Sequence, residues 1–144
     1  MQRIVVGMTG ASGVILGVRA LQVLQGIPDV ETHLVMSPAA VRTLGIETGF
    51  TVSDVSAMAD VTHSFKDIGA AVASGSFRSL GMLIAPCSVK TLSAVAQCSS
   101  GDLIARAADV CLKERRRLVL LFRETPLHAG HLAQMEQATR NGAI

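Results

Sequence analysis

At 144 residues the chain has room for one domain with a real core, and 49% apolar against 17% charged residues suits that size. No apolar stretch reaches the ~18 residues of a membrane span, Met1 to Val6 lacks the pattern of a signal peptide, and three cysteines in separate segments make no disulfide framework. With a net charge of +2 and neither Trp nor Tyr, neither a nucleic-acid nor a membrane partner is expected, and the cytoplasm is the expected compartment.

Arg3 to Val6 reads as a first strand, and Gly13 to Gln25 as a helix whose apolar positions Val14, Val18, Leu21 and Leu24 share a face. Gly26-Ile27-Pro28-Asp29 stops it. Thr32 to Met36 is a second strand, with Ser37 as N-cap and Pro38 as first residue of the next helix. Strand, helix and strand at this spacing form a right-handed parallel βαβ unit. Thr48 to Leu80, broken by Ser, Asp and Gly, predicts a short strand or two and a helix around Asp67 to Ala73.

Gly81 to Pro86 reads as a strand, Ser88 to Gln97 as a helix, and Asp102 to Arg116 as a long helix with Leu103, Ile104, Ala107, Ala108 and Cys111 on one face. The cations of Lys113 to Arg117 fall where a helix C-terminus favours them, a better account than a phosphate-backbone patch. Leu118 to Phe122 is a strand, Thr125 and Pro126 are expected to cap and start a last helix, and Asn141-Gly142 ends that helix after Arg140. Ala143-Ile144 opens a further apolar piece, so the fold is expected to be cut short at its C-terminus. The pattern is that of an α/β three-layer sandwich with a mainly parallel sheet, in which the loops after three strands converge on one crevice.

The first loop, Gly7-Met8-Thr9-Gly10-Ala11-Ser12-Gly13, places glycines at a helix start that favours an anion. It is neither the dinucleotide fingerprint nor a Walker loop. Ser37 stands where a dinucleotide site needs an acidic residue, so a phosphate without an adenosine ribose fits better. Ser88-Val89-Lys90-Thr91 repeats this logic, although Ser88 alone also serves as a plain N-cap. Arg123-Glu124 after an apolar strand predicts poorly solvated charges: a proton donor beside an anion clamp, or else a structural ion pair. Cys87 lacks a neighbouring His and reads as a small buried hydrophobe. His128 and His131 lie one turn apart without the further ligands of a metal site, and His33 and His63 carry no spacing signal.

Taken together, GMTGASG, ETHLVMS, ADVTH with DIGA and ASGSF, GMLIAPCSVKTL, RAADVCLKERRRLVLLFRETPL and the final HL-x-x-M resemble the UbiX-type flavin prenyltransferases, once described as aromatic acid decarboxylases, within the flavoprotein family of cysteine decarboxylases. The resemblance implies a flavodoxin-like (Rossmann-like) fold, a single FMN-binding domain over residues 1–144, and a homo-oligomer between trimer and dodecamer. It implies a reaction in which the dimethylallyl group of dimethylallyl phosphate is joined to N5 and C6 of reduced FMN, without metal. The product is the cofactor of a UbiD-type decarboxylase, a chemistry linked to ubiquinone biosynthesis.

By the same resemblance Gly10, Ala11, Ser12, Ser37, Ser88, Val89, Lys90, Thr91 and Arg123 hold the flavin. Glu124 protonates the departing phosphate, Arg123 and Lys113 neutralise it, and Glu47 assists proton movement. Family members carry a later segment with a Tyr for the prenyl phosphate, which this chain does not contain. Two other functions remain open at this level: FMN-dependent decarboxylation of a small aromatic or cysteine-type acid, and a non-enzymatic flavin carrier.

Overall fold

A computed structural model describes residues 1–144. In chain order the elements are β1 (Gln2–Met8), α1 (Ile15–Gln25), β2 (Val30–Met36), α2 (Pro38–Glu47), α3 (Val52–Ser56), β3 (Val61–His63), a 3-10 turn (Ala71–Ala73), β4 (Gly81–Cys87), α4 (Val89–Gln97), α5 (Leu103–Lys113), β5 (Arg117–Phe122) and α6 (Ala129–Asn141). All four strand pairings are parallel and the order is β3-β2-β1-β4-β5. This is the doubly wound α/β sandwich, flavodoxin-like and Rossmann-like, that the alternating elements predict.

The chain leaves β1 toward β2 in one direction and returns to β4 on its other side, so the topological switch point lies between β1 and β4. Alternation along the central strands feeds two cores. Val6, Met8, Leu34 and Met36 pack with Val18 and Leu21 of α1 and Leu44 of α2. Val5, Met82, Ile84 and Leu118 pack on the opposite face against Leu92 of α4 and Ile104, Ala108 and Cys111 of α5. Asn141, at the end of α6, fastens that helix by donating to the carbonyls of Val95 and Ala96 at 3.2 and 3.1 Å.

Several helix starts fall where polar residues place them. Ser37, Ser88 and Asp102 accept from Ala40, Thr91 and Ala105 N–H groups as the N-caps of α2, α4 and α5. Gly142, with φ of 113°, ends α6 as expected. Ile144 continues beside β5: its N–H donates to Leu118 O (2.8 Å) and its carbonyl accepts from Leu120 N–H (2.7 Å).

Two expectations are corrected. The helix around Asp67 to Ala73 is only the 3-10 turn, because Asp67 Oδ1 accepts from Gly69 N–H at 3.1 Å and draws the backbone into a local turn. Thr125 and Pro126 do not start α6. Their peptide bond is cis, and the helix begins three residues later under a reciprocal cap in which the Nδ1 atoms of His128 and His131 each accept the other's N–H at 3.3 Å.

No helix is long and apolar enough to cross a membrane.

Candidate active site

One buried side chain that the motifs do not single out ties the C-terminal ends of β1 and β4 together, and a backbone bond adds the end of β5. Thr9 Oγ1 donates to Pro86 O at 2.7 Å and accepts from Ser88 N–H at 2.8 Å, while Arg123 N–H donates to Cys87 O at 3.1 Å. Ser37 N–H donates to Met8 O at 3.0 Å and brings the end of β2 into the same edge. Thr9→Val removes the strut: Pro86 O keeps the N–H of residue 9 at 3.2 Å, but the half-buried Ser88 N–H loses its acceptor, so a loss of about 1–3 kcal/mol in chemical denaturation is expected.

Above this strut lies a cleft of about 320 Å³ lined by Thr9, Gly10, Ser37, Pro38, Ala39, Arg42, Phe65, Ser88, Lys90, Thr91 and Asp102. A second hollow of about 510 Å³ shares Phe65, Lys90, Thr91 and Asp102 and continues along α4. Five of the expected flavin-holding residues, Gly10, Ser37, Ser88, Lys90 and Thr91, therefore share one wall system. Val89 is the first residue of α4, immediately after Ser88. Ala11 and Ser12 continue the first loop, in which Ala11 is buried and Ser12 exposed.

Glycine is required twice in that loop. A Cβ on Gly10 would collide with the Cβ of Ala39 in the first turn of α2, and Gly13 has a φ of 94° that suits only a residue without a side chain. The turn lets α1 begin against the last residue of α2. There Glu47 accepts from Ser12 Oγ (2.9 Å), Gly13 N–H (3.0 Å) and Val14 N–H (3.4 Å). The start of α1, expected to favour a ligand anion, is thus filled by a carboxylate of the chain itself.

Those hydrogen bonds, led by that from Gly13 and helped by the charge of Arg123, hold the Glu47 carboxyl below its ordinary value of 4.5. A depressed folded-state pKa contributes stability above the unfolded value that is lost as the pH falls through the folded one. The stability gap between the native chain and Glu47→Gln is accordingly expected to be full at neutral pH and to close below about pH 4.5, as acid titrations of the two proteins would show.

Arg123 and Glu124 follow β5 and are both exposed, contrary to the expectation of poor solvation. They form no ion pair with each other; Glu124 Oε1 accepts from Thr125 N–H at 3.0 Å. The structural ion-pair reading is therefore removed.

Lys113 is the residue the structure does not bring to this site. α5 starts beside the cleft at Asp102 and runs back along the sheet, so Lys113 lies about 16 Å away at the opposite edge, where Nζ bonds Glu114 Oε1 at 2.8 Å. Cys87 is fully buried and burial pushes its thiol up to about 12, as befits a packing residue; Cys111 is raised to about 11, and Cys98 is exposed.

The donor set suits a flavin phosphate. Ala39, Val89 and Lys90 sit in the first turns of α2 and α4, where N–H groups lack intrahelical acceptors, and hydroxyls and two cations surround them.

The family model described as Flavoprotein matches residues 1–142. The chain is 58% identical to the flavin prenyltransferase UbiX of Escherichia coli over 144 residues, all of this chain and 76% of that one. This chain is a UbiX-type flavoprotein. The UbiX of Thauera aromatica is 61% identical over 142 residues, which are 99% of this chain and 73% of its own. Among solved structures, AnUbiX in complex with FMN and dimethylallyl pyrophosphate superposes with a TM-score of 0.97 at 53% identity, covering 99% of this chain and 76% of that one. A dodecameric FMN-dependent UbiX-like decarboxylase from Escherichia coli gives a TM-score of 0.97 at 48% identity, over 99% and 77% of the two chains. The UbiX-type fold is thus retained over almost the whole of the 144 residues, including the ends of β1, β2 and β4 that line the cleft.

Proposed function

We propose that this chain is a flavin prenyltransferase, transferring a dimethylallyl group from dimethylallyl phosphate to reduced FMN. The observation that carries this is the convergence of the α2 and α4 starts, Ser37, Ser88, Lys90 and Thr91 on one cleft, in a fold superposable on a relative crystallised with FMN and a dimethylallyl diphosphate. Reduced FMN, when bound, supplies the nucleophilic ring atoms. The chain's own part is to hold phosphate, orient the two substrates and donate a proton.

Residues 1–144 act as one FMN-binding domain in this reading. The phosphate end of the flavin lies at the α2 and α4 starts, because Glu47 already occupies the start of α1. Gly10, Ala11 and Ser12 shape the floor, and Arg123 approaches from the β5 side, close enough for its charge to act on Glu47. Glu47, held ionised, accepts and passes protons rather than serving as the acid. Glu124, exposed and free of any cation, protonates the leaving phosphate while Arg123 clamps it.

Lys113 reaches this ligand only from a second copy of the chain, which makes homo-oligomer formation part of the reading. The product passes to a UbiD-type decarboxylase, with the whole chemistry in the cytoplasm. Anaerobic incubation with reduced FMN and dimethylallyl phosphate is expected to yield a flavin heavier by one prenyl unit in mass spectrometry. An unchanged flavin mass, with FMN demonstrably bound, overturns the assignment.

A further inference from the structure

We propose that Arg42 is a specificity-determining residue of this cleft: it selects a phosphorylated flavin over the unphosphorylated one. The inference deepens the flavin reading above and rests on it.

Three helix starts face the C-terminal edge of the sheet near β1 and β4, but only two are open to an anion. The start of α1 is closed by the Glu47 carboxylate, which takes the N–H groups of Gly13 and Val14 and the Ser12 hydroxyl. The starts of α2 and α4 remain, and both open on the same cleft. A dianionic phosphate therefore has one seat, between Ser37 and Ser88.

Arg42 lies one turn beyond Pro38 on α2 and lines this seat together with Lys90. It is exposed and makes no ion pair or hydrogen bond within the chain. The only carboxylate lining the cleft, Asp102, is engaged as the cap of α5 through Ala105 N–H at 2.9 Å. An uncompensated guanidinium beside a seat of free N–H groups attracts a phosphate more than a neutral hydroxymethyl group, and its planar fork offers two donors to two phosphate oxygens. Being exposed, its contribution is screened by salt.

The test measures FMN and riboflavin dissociation constants by quenching of flavin fluorescence, for the native chain, Arg42→Ala, Arg42→Lys and the distant control Arg19→Ala. The native chain is expected to favour FMN. Arg42→Ala should weaken FMN about tenfold and leave riboflavin unchanged, Arg42→Lys should recover part of the loss, and Arg19→Ala should match the native chain; the FMN advantage should shrink as salt is raised. Equal weakening of both flavins by Arg42→Ala, or no change in either, overturns the role of Arg42 while leaving the flavin site standing. A native chain that binds neither flavin defeats the proposal and the functional reading together.

Discussion

Glu124→Gln should bind FMN as the native chain does and lose prenyl transfer by about 10²–10⁴-fold, the usual contribution of a positioned general acid. The argument rests on what glutamine keeps. Glu124 Oε1 accepts from Thr125 N–H, and the amide oxygen of glutamine accepts the same bond, so the loop after β5 is not disturbed. Glu124 has no cationic partner in the chain, so removing its charge orphans no other group. What disappears is the capacity to deliver a proton to the departing phosphate oxygen. Single-turnover measurement of prenylated flavin, beside an FMN titration and a melting curve for each protein, separates the possibilities. Transfer at the native rate would remove Glu124 from the chemistry and leave it as a turn residue.

Gly10→Ala has a comparably large expected effect for a steric reason. The added Cβ would fall on that of Ala39 and lie 3.2–3.3 Å from the Ala39 carbonyl carbon and Cα, none of which can rotate aside. Either the first loop or the first turn of α2 must shift. Overpacking of this kind costs about 1–3 kcal/mol, and the displaced turn is the one whose N–H groups face the cleft. A fall in melting temperature of several degrees, with FMN affinity reduced at least about tenfold, is expected. Gly10→Ala combined with Ala39→Gly removes the collision. Its flavin affinity should return even though glycine in α2 costs about 1 kcal/mol of helix stability. A double variant as weak as Gly10→Ala alone would show that the loop demands glycine for another reason.

Much of the framework was legible because local chemistry and tertiary structure agree. Ser37-Pro38, Ser88 and Asp102 start helices where their side chains cap them, and the apolar runs of β1, β2 and β4 are strands buried on both faces, while that of β5 forms a half-buried edge strand. The middle failed where elements are too short for a period to repeat. α3 has five residues and is announced only by its reciprocal cap, Thr51 with Asp54, too slight a signal to outweigh the surrounding breaks. Pro126 gave a false helix start because proline suits both a first helical turn and a loop, and a histidine cap two residues later has no strong signature.

The candidate site divides in the same way. Helix starts at strand ends place Ser37, Ser88, Lys90 and Thr91 without further knowledge. The role of Glu47 depends on the end of α2 reaching the start of α1, thirty-four residues away from Gly13, and no local spacing encodes that contact. Thr9 lies inside a glycine motif whose turn signal outweighs that of a single hydroxyl. Lys113 differs again: α5 runs from Asp102 back to the far edge of the sheet, so within one chain its side chain stands away from the cleft, a separation that helix length alone encodes.

The thiol of Cys87 sits behind the cleft floor, sealed from solvent and kept protonated. Reduced flavin exposed to air gives hydrogen peroxide, and peroxide attacks thiolates. A sulfur behind this cleft is therefore spared sulfenic acid formation by its weak acidity and its inaccessibility, and Cys111 shares that protection. Oxidative damage and alkylating reagents are left with Cys98, at the far end of α4, where a modified side chain leaves the flavin seat untouched.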